Sequence, residues 1–188
     1  MALFVVGALL IAGLFAWALR AAQVPRSWVW LFILGGVLGS TWEIGFTVLD
    51  MAYQIEPGGA PLAEGEEFTF DGPLILGLAV LLVFCLWDAG LFIAGAIIAR
   101  RVLKRELFAR FSWPELGILL AWGQAQSFFV EMLAISAGWW AYKPTASNPQ
   151  LIPYLDGSIT LWPQLVWVLA YLVFYGAALV IARPTPSR

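Results

Sequence analysis

Three carboxylic acids stand inside long apolar runs of this sequence: Glu43, Asp88 and Glu131. An ionisable side chain near the centre of a bilayer costs roughly 2.5–3.5 kcal/mol on insertion scales, so three of them mark a site with a purpose. Such acids must face a polar cavity, bond to one another or carry protons. A protonated carboxyl in an apolar setting is a Brønsted acid, and a second carboxylate can take a proton back as base. Aromatic faces stabilise nearby cations through their quadrupole. The chemistry these groups suit is protonation of an olefin or epoxide in a lipid, with a carbocation guided along an aromatic wall. No cofactor or metal is required for it.

The spacing of polar residues tells which way these groups turn. Ser40, Glu43, Thr47 and Asp50 recur at helical spacing, as do Gln124, Ser127 and Glu131. Phe84, Asp88 and Phe92 share a face with Trp87 beside it, and Gln164, Trp167, Tyr171 and Tyr175 form another. Polar stripes surrounded by lipid turn toward the interior of a bundle. Glu43 and Glu131 each lie seven residues before the outer end of their run, roughly 10 Å deep at 1.5 Å per residue. Asp88 sits nearer the middle. The expected site therefore has Glu43 as proton donor, with Asp88 or Glu131 as its partner or base. Trp42, Trp87, Gln124, Ser127, Gln164, Trp167 and Tyr171 are the expected substrate-binding residues. The bland reading of the Ser, Thr and Gln set is interhelical hydrogen bonding, and that of the aromatics is bundle filling. Gly35, Gly36 and Gly39 permit close helix packing.

The elements that must hold this site are membrane helices. The chain has 188 residues, of which 62% are hydrophobic and only 12% charged, with a mean hydropathy of +0.85. That balance leaves too little polar surface for a water-soluble domain. Five stretches approach the roughly 20 residues a bilayer demands: Ala2–Leu19, Trp28–Leu49, Pro73–Ala99, Pro114–Gly138 and Leu161–Ala182. The expected fold is a single all-α domain, residues 1–188, of five transmembrane helices. The first run has no basic segment before it, so it is expected to be a retained span rather than a cleaved signal.

Charge sets the orientation. Arg20, Arg26, Arg100, Arg101, Lys104, Arg105, Arg110, Arg183 and Arg188 all fall on one side of a five-span topology. Only Lys143 falls on the other, where the loop from Asp50 to Asp71 carries six acids and no base. Positively charged loops stay in the cytoplasm, which predicts an N-terminus outside and a C-terminus inside. An integral protein of the plasma (inner) membrane is expected. Trp28, Trp30, Trp113, Trp139, Trp140 and Trp162 lie near span ends and read as an interfacial belt. The second outer loop, Trp139 to Thr160, has turn dipeptides at Asn148-Pro149 and Asp156-Gly157; its aromatics could cap the bundle or rest on headgroups. The basic stretch from Arg100 to Arg110 is expected to touch anionic lipid.

Other functions are excluded or weakened. The net charge of −2 offers no nucleic-acid surface. The lone Cys85 forms no internal disulfide, and with no histidine the Ser-His-Asp and Cys-His mechanisms are closed.

Trp42-Glu43 in the second span and Asp88 in the third resemble the membrane-embedded terpene cyclases of meroterpenoid pathways. Those enzymes carry a Trp-Glu pair in an early span and an Asp in a later one, both thought to protonate an epoxide. The resemblance implies a metal-independent cyclase or isomerase acting on an isoprenoid, and it is confined to those residues. That family has about seven helices, two more than expected here. The small sterol isomerases match in length and span number but depend on a histidine that this chain lacks. Two further classes stay open: a proton-coupled transporter using the three acids as a relay, which a homo-oligomer could support, and a non-catalytic lipid-binding or assembly protein.

Overall fold

A computed structural model of the chain describes residues 2–21, 24–48, 52–53, 74–155 and 157–181. The five apolar runs are five α-helices: α1 (Ala2–Arg20), α2 (Trp28–Val48), α3 (Leu74–Leu103), α4 (Trp113–Ser136) and α5 (Leu161–Ile181). Their limits match the expected spans closely, except that α3 continues past Arg100 to Leu103. The described parts of α3, α4 and α5 are long and apolar enough to cross a membrane. The described parts of the other two are shorter apolar helices, Val6–Arg20 and Trp28–Ile44. The helices turn Leu10, Leu14, Val37, Leu82, Phe129, Val173 and Val180 outward, surface that lipid rather than water would solvate. The acidic loop, Thr47, Asp50, Asp156, Arg183 and Arg188 lie outside the described residues or side chains.

The expectation of an all-α chain needs correction. Four short strands stand at one end of the helices: β1 (Ala52–Tyr53), β2 (Ala141–Tyr142), β3 (Gln150–Tyr154) and β4 (Gly157–Thr160). β1 pairs antiparallel with β2, and β3 with β4. β2 packs in turn against β4, and both contact α4. Extended segments at this end pair because their backbone groups, close to apolar helix ends, need partners.

The inner packing explains the glycines of α2. A β-carbon at Gly35 would lie 3.0 Å from the Ala89 Cα, and one at Gly39 would lie 2.7 Å from the Asp88 Cβ. The α2–α3 contact is the most extensive in the molecule, and only hydrogen at these positions allows it. Below it runs an aromatic core from three helices. Phe92 lies 4.7 Å from both Tyr171 and Phe174 and 5.5 Å from Trp167, while Trp42 lies 5.2 Å from Trp167.

Trp28 does not belong to the belt. It is 2% exposed and packs 6.3 Å from Phe108 in the core. Trp30 and Trp113, at 63% and 73% exposure, do sit on the surface as a belt requires. Cys85 is a free, half-buried thiol.

Candidate functional site

The end of α4 shows how the chain is aimed at the acids. Gly138 adopts φ 68°, a left-handed conformation that favours glycine. Its N–H donates to the Ile135 carbonyl, and the Trp139 N–H donates to that of Ala134. This paired closure stops the helix and leads through Trp139 and Trp140 into β2. Asn148 fixes the loop that follows: its Nδ2 donates to the Lys143 carbonyl at 3.0 Å, and its Oδ1 accepts the Trp162 N–H at 2.8 Å. The second outer loop is thus a structured cap tied to the start of α5.

Beneath the cap the acids fall into a pair and a single group. Asp88 is 6% exposed and packs against Gly39. The Trp42 indole lies within hydrogen-bonding range of its carboxyl, and Glu43 interacts with it electrostatically. Glu131, 4% exposed, accepts hydrogen bonds on Oε1 from Gln164 Nε2 at 2.5 Å and from Ser127 Oγ at 3.4 Å. The Thr160 N–H of β4 also reaches its carboxyl. Gln124 donates to the Gln164 carbonyl, joining α4 to α5 beside it.

Tyr142 of β2 feels the charge of both groups. Burial pushes its hydroxyl well above the ordinary phenol value, and the charges of Glu43, Glu131 and Asp88 push it the same way. It is therefore a neutral hydroxyl within electrostatic reach of all three acids, able to donate one hydrogen bond and accept others. The Trp140 indole lies within hydrogen-bonding range of it. Sequence reasoning placed Tyr142 only among the loop aromatics. The available signal was its position four residues past a helix-ending glycine, which returns it over the bundle.

Several polar atoms here are buried with no hydrogen-bond partner among the described residues: Asp88 Oδ2, Glu131 Oε2, Gln164 Oε1, Gln126 Oε1 and Thr160 Oγ1. A buried orphan of this kind costs about 1–3 kcal/mol. No Lys or Arg among the described residues forms an ion pair with Asp88 or Glu131.

The other expected residues divide. Trp42, Trp167 and Tyr171 belong to the aromatic core under the acids, but the Tyr171 hydroxyl is committed to the Leu91 carbonyl at 3.0 Å. Trp87 packs its indole on Gly7 of α1. Successive residues on a helix diverge by about 100°, so Trp87 and Asp88 face different neighbours. Ser40 hydrogen-bonds the Val37 carbonyl of its own helix.

A fourth buried acid was missed. Glu115, in the first turn of α4, is fully buried. Its Oε1 lies 3.0 Å from Arg105, and its Oε2 accepts the Phe108 N–H at 3.3 Å. The Tyr175 hydroxyl, which accepts the Ser112 N–H at 2.7 Å, lies 3.2 Å from Oε2. Arg105, its side chain still 38% exposed, reaches in to this carboxylate and also donates to Ser112 Oγ. Phe108 holds φ 63°, costly for a bulky residue, with its N–H on Glu115 and its ring beside Tyr175 and Phe174. This cluster is a latch on the loop between α3 and α4.

No family profile, curated protein or solved structure matches the chain.

Proposed function

We propose that this chain is an integral membrane protein of five spans, N-terminus outside and C-terminus inside, that acts on an isoprenoid or other lipid by carboxylic-acid proton transfer. The reading rests on one observation above all: Asp88 and Glu131, on separate helices, are buried, each with a carboxyl oxygen that has no hydrogen-bond partner, and neither forms an ion pair with a described Lys or Arg. In this scheme Glu43 gives its proton to an alkene carbon or an epoxide oxygen. The resulting cation is quenched when a neighbouring C–H proton passes to a carboxylate, Asp88 or Glu131. The net change in the lipid is isomerisation or ring closure, with no oxidant or reductant. The proton then returns to Glu43 through the Tyr142 hydroxyl, which can accept one proton while releasing another. The orphaned carboxyl and amide oxygens supply acceptors for a polar head of the substrate. Trp42 and Trp167 form the floor nearest the acids and would face the developing cation.

A transporter is less well supported. Below the acids the rings of Trp42, Phe92, Trp167, Tyr171 and Phe174 are in mutual contact, and no polar stripe continues through them to Glu115.

The test is mass spectrometry of lipids extracted from the purified protein, followed by incubation of the identified lipid in D2O. An isoprenoid should be retained and should gain deuterium, and Glu43→Gln should abolish that gain while keeping the lipid. A preparation without isoprenoid, or full exchange by Glu43→Gln, would overturn the scheme. Proton flux in liposomes holding only this protein would favour the transporter instead.

A further inference from the structure

The opposite end of the molecule from the cap carries a concave feature. The last residues of α1, Leu19 and Arg20, the following Val24, Pro25 and Arg26, and Arg100 of α3 line a pocket of about 360 Å³. That volume lies in the range of small-molecule sites. Three of the six lining residues are arginines. Arg100 forms an ion pair with Glu106 at 2.5 Å, and Glu106 is itself mostly exposed. Among the described residues neither Arg20 nor Arg26 has an acidic partner. The other lining residues, Leu19, Val24 and Pro25, are apolar, and α1 presents Leu14, Leu10 and Leu9 outward along the same helix.

We propose that this pocket binds a phosphate group, and that its position at the end of an apolar helix suits the headgroup of an anionic lipid. Guanidinium groups match phosphate oxygens with paired N–H donors, which a single ammonium cannot do. The acyl chains of such a lipid would run along the exposed leucines of α1, so one ligand satisfies both halves of the site. Arg20 and Arg100 also lie at the C-terminal ends of α1 and α3, where the helix dipole is negative. Offsetting those dipoles is the competing explanation, and it predicts no ligand. The proposal is independent of the acid chemistry under the cap.

The probes are short-chain phosphatidylglycerol and inorganic phosphate, titrated separately into detergent-purified protein by calorimetry. A basic side chain near a lipid surface contributes about a fivefold effect on binding. Arg20→Gln with Arg26→Gln should therefore weaken binding roughly 25-fold, while Arg101→Gln, exposed at the end of α3 and outside the pocket lining, should leave it unchanged. Saturable binding of phosphatidylglycerol over phosphate, lost in the double variant, supports a lipid site. Binding of phosphate alone, lost in the same way, supports a soluble phosphate ligand in the same pocket. Absence of binding by both probes, or a loss of about fivefold in Arg101→Gln, would overturn the proposal, the latter by showing a diffuse basic surface. Thermal midpoints of the variants establish that each is folded when it is titrated.

Discussion

Gly39 offers the sharpest perturbation of the acid pair, because it moves Asp88 without removing a charge. A β-carbon added there would lie 2.7 Å from the Asp88 Cβ and 2.9 Å from its Cγ. Ordinary contact begins near 3.4 Å, so Asp88 or the whole helix must retreat by roughly 0.7 Å. Asp88 has little room to do so, being buried beside the Trp42 indole. Overpacking of this size costs about 1–3 kcal/mol. Gly→Ala also gains about 1 kcal/mol of helix propensity, which would blur the result if Gly39→Ala were measured alone.

Gly36→Ala removes the ambiguity. It lies on the same helix and faces the same partner, yet its β-carbon would stand 3.4 Å from the Cys85 carbonyl and 3.8 Å from the Ala89 Cβ. The propensity gain is common to both variants, so their difference isolates the clash. Gly39→Ala should melt below Gly36→Ala by about 1–3 kcal/mol, or about 2–12 °C for a chain of this size. Gly36→Ala should match or exceed the parent protein. Asp88→Ala in the Gly39→Ala background should recover part of the loss, since it removes the Cγ and carboxyl contacts but keeps the Cβ. The assay is thermal unfolding in detergent by tryptophan fluorescence. Equal midpoints for the two alanine variants would refute the close approach of α2 and α3 and, with it, the placement of Asp88.

The latch and the topology can be tested independently. Glu115→Gln keeps the size of the side chain but removes the ion pair to Arg105 and weakens two further hydrogen bonds. It should lower stability by about 2 kcal/mol and speed proteolytic cleavage between Arg100 and Arg110; an unchanged cleavage rate would deny the latch. For orientation, Cys85→Ala provides a cysteine-free background. Ala146→Cys in the exposed cap loop should then react with a membrane-impermeant maleimide on intact cells. Arg101→Cys should react only after permeabilisation, and the reverse pattern would sink the N-out, C-in assignment.

The helices were legible in the sequence because each is a continuous apolar run closed by a charge or a proline, as where Pro114 opens α4 and Arg20 closes α1. The glycine face of α2 was legible for a similar reason: small residues at helical spacing have few other uses. The cap was not. β2 has two residues and β4 has four, all four of them buried, so no alternation of polar and apolar residues betrayed them. β1 and β2 pair across a long separation, Ala52 with Tyr142, while β3 and β4 are a local hairpin with a register shift between Gln150 and Ile152. Trp28 was misplaced because position near a helix end does not distinguish a belt residue from one turned onto Phe108. Glu115 escaped notice because a carboxylate in a first helical turn has an ordinary explanation in the helix dipole, and its partner Arg105 sat within a basic run.

The two buried acid sites explain each other by contrast. Glu115 has a cation at 3.0 Å, a backbone N–H and a nearby phenol hydroxyl. Its surroundings are what a fixed structural charge needs, and nothing in them calls for a ligand. Asp88 and Glu131 are as well hidden and, like Glu115, each keeps a carboxyl oxygen with no hydrogen-bond partner, but no Lys or Arg among the described residues forms an ion pair with either. The same bundle therefore sets a cation against the buried carboxylate at one end, and no described cation pairs with the two at the other. α5 ties the ends together, with Gln164 on Glu131, Trp167 and Tyr171 in the aromatic core, and Tyr175 beside Glu115. A fold able to build the latch had the means to neutralise the outer acids as well. That difference argues for assigning the chemistry to Glu43, Asp88 and Glu131 under Tyr142, and a purely structural role to Glu115.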